Sequence, residues 1–136
     1  MTELDSLNVL FICRHNGVRS QLAEVLATKL GQGKVTASSA GPEPTSVPNV
    51  IQSWANDVMG KDYPLECTPL REKEGKSFDL VVTLCDKSHA FPASLTSDSE
   101  HIRWDFPQVN SIDDLPHLET EIADRVRLLL LSKHLI

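Results

Sequence analysis

The chain has 136 residues, a formal net charge of −6 and three cysteines. That length suits one domain, read as residues 1–136, with a core that needs no disulfide staples. The acidic balance argues against nucleic acid and anionic membrane as partners. The odd cysteine count points to a reducing compartment, and neither a signal peptide nor a bilayer-length apolar run is evident, so a cytoplasmic location is expected.

Val9-Leu10-Phe11-Ile12 is a short apolar run, read as a buried strand. Val18, Leu22, Val25, Leu26 and Leu30 then repeat at helical spacing, which predicts a helix over 18–30, closed by Gly31-Gln32-Gly33 as a glycine cap. Residues 34–38 follow as a second strand, and Pro42, Pro44 and Pro48 make 41–48 an extended loop. Val50, Ile51, Trp54, Ala55, Val58 and Met59 predict a helix over 48–59 that stops at Gly60. Thr68-Pro69-Leu70-Arg71 reads as an N-cap with proline at the first helical position, opening a short helix to about residue 73. Residues 80–84 form the clearest strand, apolar nearly throughout as a central parallel strand is. A fourth strand is expected near 101–104, and a last helix over 116–132 with Leu118, Ile122, Val126 and Leu129 on its core face. This alternation predicts an α/β fold of three layers, a parallel sheet covered by helices on both faces. Ligands of such sheets bind beyond the carboxyl ends of the strands, where strand order reverses. Cys13 and Cys85 each follow a strand, so both are expected at that crevice.

Cys13 and Arg19 delimit a loop between strand and helix that is suited to a tetrahedral oxyanion. Backbone N–H groups of Arg14, His15, Asn16, Gly17, Val18 and Arg19, unpaired at a helix start, can converge on an anion to which the helix dipole adds positive potential. Gly17 lets the loop curl, and Arg19 offers a planar fork of donors that matches two oxygens of a phosphate-like group. The same surroundings favour thiolate at Cys13, making it the expected nucleophile, with Ser20 able to donate a hydrogen bond to the sulfur. The bland alternative is a buried cysteine followed by a solvated arginine. Cys13, Cys67 and Cys85 lie far apart, and His15, His89, His101, His117 and His134 form no close ligand pairs, so no transition-metal site is expected.

The string Val9-Leu10-Phe11-Ile12-Cys13-Arg14-His15-Asn16-Gly17-Val18-Arg19-Ser20-Gln21-Leu22-Ala23-Glu24 resembles the phosphate-binding loop of the low-molecular-weight protein tyrosine phosphatases and of their relatives, the thiol-coupled arsenate reductases. Ser38-Ser39-Ala40-Gly41 is similar to that family's second-strand exit. Phe78-Asp79-Leu80-Val81-Val82-Thr83-Leu84-Cys85-Asp86 is similar to the arsenate reductase branch. The resemblance implies a four-stranded sheet with the first strand central. It implies that Cys85 attacks Cys13 once arsenate has bonded to it, releasing arsenite and leaving a disulfide, with Asp86-Lys87-Ser88-His89 as the mobile segment. Otherwise Cys85 is a small buried hydrophobe ending a strand. Relatives with an internal relay carry a further cysteine just before a proline, where this chain has Phe91-Pro92. Cys67 either substitutes for it or is structural. An external thiol of the thioredoxin or glutaredoxin and glutathione type is therefore the expected reductant, with no tightly bound cofactor.

A phosphatase of this class also needs a carboxylic acid for the leaving group, which relatives place directly before a proline after the fourth strand. Asp105 is the candidate general acid, serving if its loop shifts and otherwise an exposed loop carboxylate or turn former; the gapless match sets Gln108 at the acid's place, and a glutamine cannot transfer the proton. Asp113 and Asp114 read as helix caps. Asn16, Glu24, Ser39 and Asp62 match positions that hold potassium in some arsenate reductases of the family. Trp54 and Trp104 are expected in the core or pocket wall. Three functions stand: a thiol-dependent arsenate reductase, a phosphomonoesterase acting on phosphotyrosine proteins, and an inactive oxyanion-binding module.

Overall fold

A computed structural model of the protein describes residues 6–85, 99–108 and 111–136. In chain order it contains β1 (Leu7–Ile12), α1 (Arg19–Gly31), β2 (Val35–Ala40), α2 (Asn49–Met59), β3 (Leu80–Thr83), β4 (Glu100–Arg103) and α3 (Leu115–Ser132), with 3-10 turns at Leu70–Lys73 and Ile112–Asp114. The four strands are parallel in the order β2-β1-β3-β4. The chain thus steps from β1 to one side, then returns to β1's other side, and the reversal lies between β1 and β3. The residues expected as a mobile segment after Cys85, and the Phe91-Pro92 position, lie outside the described residues.

Side chains alternate across β1, as the two-residue period of a strand requires. Leu7, Val9 and Phe11 pack with Leu22, Leu26, Ile51, Leu118, Ile122 and Val126 from the helices, while Leu10 and Ile12 meet Leu70, Phe78 and Val81 on the opposite face. Phe11, Leu10 and Ile12 are completely buried, each worth about 1.5–3 kcal/mol relative to exposure. This explains why β1 is the apolar run seen in the sequence: a central strand has no solvent face. Among the described residues no helix is long and apolar enough to cross a membrane.

Three local expectations are corrected. The first helix runs through Gly31, and the left-handed cap is Gln32, at φ 48° and ψ 50°. Gly31 is a packing glycine instead, since a Cβ there would lie 2.5 Å from Val35 Cγ2. The turn after Thr68 is a 3-10 turn flanked by Pro69 with no side-chain cap, so Thr68 is not the N-cap. Of the two expected caps, Asp114 stands at the N-cap position of α3 and Asp113 does not: it lies in the 3-10 turn before the helix, whose own cap is Ser111 Oγ, accepting from Asp113 N–H. The side chain at Asp114 makes no cap hydrogen bond.

Candidate functional site

The strand register brings the two crevice cysteines to neighbouring strand ends. Ile12 is level with Thr83, and Leu84 N–H donates to Ile12 O at 2.8 Å, so Cys13 leaves β1 beside the residue that precedes Cys85. Both cysteines are buried, and none of the three is in a disulfide. Cys13 lines a pocket of about 150 Å³ with His15, Gly17, Val18, Arg19, Thr45, Ser46, Pro48 and Gln108. Cys85 lines an adjoining crevice of about 530 Å³ with Arg14, Arg19, Asp105, Phe106, Pro107 and Gln108. Arg19 and Gln108 border both.

At the base of the loop, Ser20 Oγ lies 3.1 Å from Cys13 Sγ and accepts a 2.6 Å bond from Asn16 Nδ2. The amide fills an acceptor site of the hydroxyl and leaves its proton free to point at the sulfur. Asn16 has φ 53°, a left-handed backbone that a side chain tolerates only when neighbours hold it. Its amide end is held by Ser20 and its Oδ1 by Thr68 N–H at 2.8 Å.

Three successive carbonyls of the loop are pinned from outside. Glu43 N–H donates to Arg14 O at 2.9 Å, Thr45 N–H to His15 O at 3.2 Å, and Gln21 Nε2 to Asn16 O at 2.8 Å. In a planar trans peptide the C=O and the following N–H point opposite ways. Holding these carbonyls outward therefore turns the N–H groups of His15, Asn16 and Gly17 toward the concave side, where Cys13 lies. Such a row of inward N–H groups is an anion nest. The pinning segment can come this close because Gly41 has no side chain: a Cβ there would sit 2.4 Å from Cys13 O and 2.8 Å from Arg14 O.

Arg14 is turned aside from the loop's centre. Its guanidinium pairs with the Glu43 carboxylate at 3.2 and 3.3 Å, and the His15 ring bonds Glu43 O. Arg19, half-buried, donates from Nη1 to Phe106 O at 3.1 Å and so ties the 104–108 segment to the phosphate loop. That segment is fixed to β3 by Trp104 N–H to Thr83 O at 2.7 Å and Phe106 N–H to Leu84 O at 3.1 Å. Trp104 is buried between Phe11 and Phe106, with ring centroids 6.2 and 6.1 Å away. Trp54 is a half-buried flank of the helix-side core.

The sequence-based candidates separate at this point. Cys13, His15, Gly17, Val18 and Arg19 come together in one pocket, with Asn16 and Ser20 buried beneath it. Gln108 reaches that pocket, whereas Asp105 borders only the outer crevice and a further surface hollow. Of the four potassium candidates, Ser39 Oγ donates to Glu24 Oε1 at 2.7 Å, the Asn16 side chain bonds Ser20 and Thr68 N–H, and Asp62 is exposed. Burial pushes the Glu24 carboxyl above its usual range, opposed by the Ser39 bond and the Lys73 charge. Among the described residues no cluster of His, Cys, Asp and Glu could hold a metal ion. Gln21, Gly41, Glu43, Thr45 and Thr68 escaped the sequence reading as site residues. Gly41 ended a quoted motif, and Gln21 lay within one; the others carried no signal.

Residues 8–111 match the family model described as low molecular weight phosphotyrosine protein phosphatase. The chain belongs to that family. Within this phosphatase family it is similar to the glutaredoxin arsenate reductase of Synechocystis, 26% identical over 125 residues that cover 87% of this chain and 92% of the relative. It is also similar to an arsenate reductase of Bacillus cereus, 28% identical over 126 residues, covering 88% of this chain and 90% of that protein. A solved arsenate reductase from Archaeoglobus fulgidus superposes with a TM-score of 0.73 at 29% identity, covering 90% of this chain and 98% of that one.

Proposed function

We propose that the protein is a thiol-dependent arsenate reductase. Arsenate sits in the Cys13 to Arg19 loop, its oxygens facing the inward N–H groups and the Arg19 fork. Cys13 sulfur displaces one oxygen from arsenic; that oxygen takes up protons and leaves as water, and an S–As bond forms. Cys85 sulfur then attacks Cys13 sulfur. The S–As bond breaks with its electron pair left on arsenic, so As(V) departs as arsenite and the two thiols become a disulfide. An external thiol, of the glutaredoxin and glutathione or the thioredoxin type, returns the disulfide to thiols; it attacks the Cys13 adduct directly if Cys85 is not the resolver. No resident cofactor takes part.

The observation that carries this reading is the thiol of Cys85 on a crevice that shares Arg19 with the Cys13 pocket. The arsenate reductases among the relatives support it. The test is to add arsenate to the reduced protein, block the remaining thiols and map which cysteines escaped. Joint protection of Cys13 and Cys85 identifies the relay, and protection of Cys13 alone an external resolver. If neither thioredoxin nor glutaredoxin with glutathione sustains arsenate-dependent NADPH oxidation, the proposal fails.

Hydrolysis of phosphotyrosine in proteins is the second reading, favoured by the family model. It would pass through a phosphocysteine at Cys13 with Asp105 as acid, but Gln108 is the residue at the Cys13 pocket. Aryl phosphate hydrolysis that is abolished in Asp105→Asn and indifferent to Cys85→Ser would establish it. Phosphate binding without turnover in either assay would leave the inactive binding module.

A further inference from the structure

We propose that Cys67 is a positioning residue of the oxyanion loop: its S–H, together with the Gln21 amide, holds the Asn16 carbonyl so that the Gly17 N–H faces the bound anion. This rests on reading the Cys13 to Arg19 loop as the oxyanion site. Cys67 Sγ lies 3.1 Å from Asn16 O, the same oxygen that accepts from Gln21 Nε2 at 2.8 Å. Gln21 Nε2 also donates to Glu66 O at 2.8 Å, and Thr68 N–H bonds Asn16 Oδ1 at 2.8 Å. The segment 66–68 is therefore stapled along the outer edge of Asn16.

Asn16 is the place where such a staple matters. Its φ of 53° is a left-handed backbone, and the carbonyl of the peptide that joins it to Gly17 accepts from no backbone N–H of the 41–48 loop. Arg14 O and His15 O have backbone partners in that loop; Asn16 O has only side-chain donors. If that carbonyl swings, the Gly17 N–H on the opposite side of the same plane swings with it.

Cys67 is suited to donate rather than attack. Burial pushes its thiol up, the neighbouring Cys13 adds to the rise, and a bond from the Thr45 backbone opposes them without cancelling it. The group stays protonated at neutral pH, keeps its S–H for the carbonyl and is a poor competitor of Cys85 for the Cys13 adduct. In the thiol map described above, Cys67 accordingly remains free.

The test uses the whole reduced chain and needs no turnover. Inorganic phosphate is titrated against iodoacetamide labelling of Cys13, read peptide by peptide, in parent, Cys67→Ala and Cys67→Ser. Losing one hydrogen bond to the loop raises the half-protecting phosphate concentration about three- to tenfold in Cys67→Ala. Cys67→Ser, which retains an O–H donor, stays within about twofold of the parent, with matching thermal unfolding in all three. A purely structural cysteine would not show rescue by serine. Should Cys67→Ala not fold, Cys67 is capped with methyl methanethiosulfonate in a Cys85→Ser chain while phosphate shields Cys13, and the titration is repeated before and after dithiothreitol. Weakened protection that the reductant restores supports the proposal; unchanged protection overturns it. Equal behaviour of the alanine and serine variants overturns it as well. Absence of any phosphate protection in the parent refutes the oxyanion loop and this proposal together, whereas failure of arsenate turnover with protection intact refutes only the reductase reading.

Discussion

Gly41→Ala is the sharpest probe of how the loop is held. The added Cβ would stand 2.4 Å from Cys13 O, 2.8 Å from Arg14 O and 3.0 Å from Asn16 N, all of them backbone atoms. Ordinary contact begins near 3.4 Å, so the strand exit and the loop must part by about 1 Å, and no side-chain rotation can relieve it. Overpacking of this kind costs about 1–3 kcal/mol. At about 3–5 °C per kcal/mol for a chain of this size, the melting temperature falls by roughly 3–15 °C. A displacement near 1 Å at the reacting groups also costs about 10²-fold in rate. Differential scanning fluorimetry measures the first effect and arsenate-dependent NADPH oxidation the second, while phosphate protection of Cys13 reports whether the loop still binds. Gly60→Ala is the control: with φ 70° and nothing within 4 Å, it strains the helix cap while leaving the anion site alone. If Gly41→Ala melts within about 2 °C of the parent and binds phosphate equally well, the close approach of strand exit and loop is wrong.

Cys13→Ser should retain phosphate binding while arsenate-dependent NADPH oxidation falls by at least about 10³-fold, as for other nucleophile deletions; residual turnover near the parent rate would exonerate Cys13. Gln108→Asp supplies a carboxylic acid at the rim of the Cys13 pocket and should raise aryl phosphate hydrolysis by about 10²-fold or more. No gain in a kcat/KM measurement would mean that residue 108 does not face the leaving group. Glu24 contributes a pH dependence with a definite sign. Its folded carboxyl is raised above the ordinary value of 4.5, so its contribution is fully present below that pH and is lost as pH rises through the folded value. Urea unfolding should therefore show the parent losing stability relative to Glu24→Gln as pH rises above about 4.5; a parent that holds or gains stability relative to the variant over that rise contradicts the burial argument.

The strand, turn and helix around Cys13 were legible because each leaves a local trace: an apolar run for a strand buried on both faces, then apolar residues at helical spacing. The parallel sheet followed from alternation, which also assigned Cys13 and Cys85 to the crevice at the strand ends, whereas the central place of the first strand came only from the family resemblance. Helix α1 shows where that kind of signal stops. Its polar residues Ser20 and Gln21 are buried as fully as its leucines, because they bond the loop rather than solvent. Periodicity counts a buried glutamine as surface. Gln32 at the left-handed cap and Gly31 inside the helix were misread because Val35 crowds the Gly31 position, a contact that no local rule contains.

From residue order alone came the fold class, the loop from Cys13 to Arg19 proposed as the oxyanion site, and the thiol at Cys85. Tertiary structure alone showed that Glu43, Thr45, Gln21 and Cys67 bond the loop carbonyls, and it put Gln108, where the sequence match had set it, on the Cys13 pocket. The division is physical. Strands and helices repeat at fixed intervals along the chain and so imprint composition, whereas a hydrogen bond between Cys67 and Asn16 exists only once the sheet has brought together two polar residues that nothing in the chain between them marks as partners.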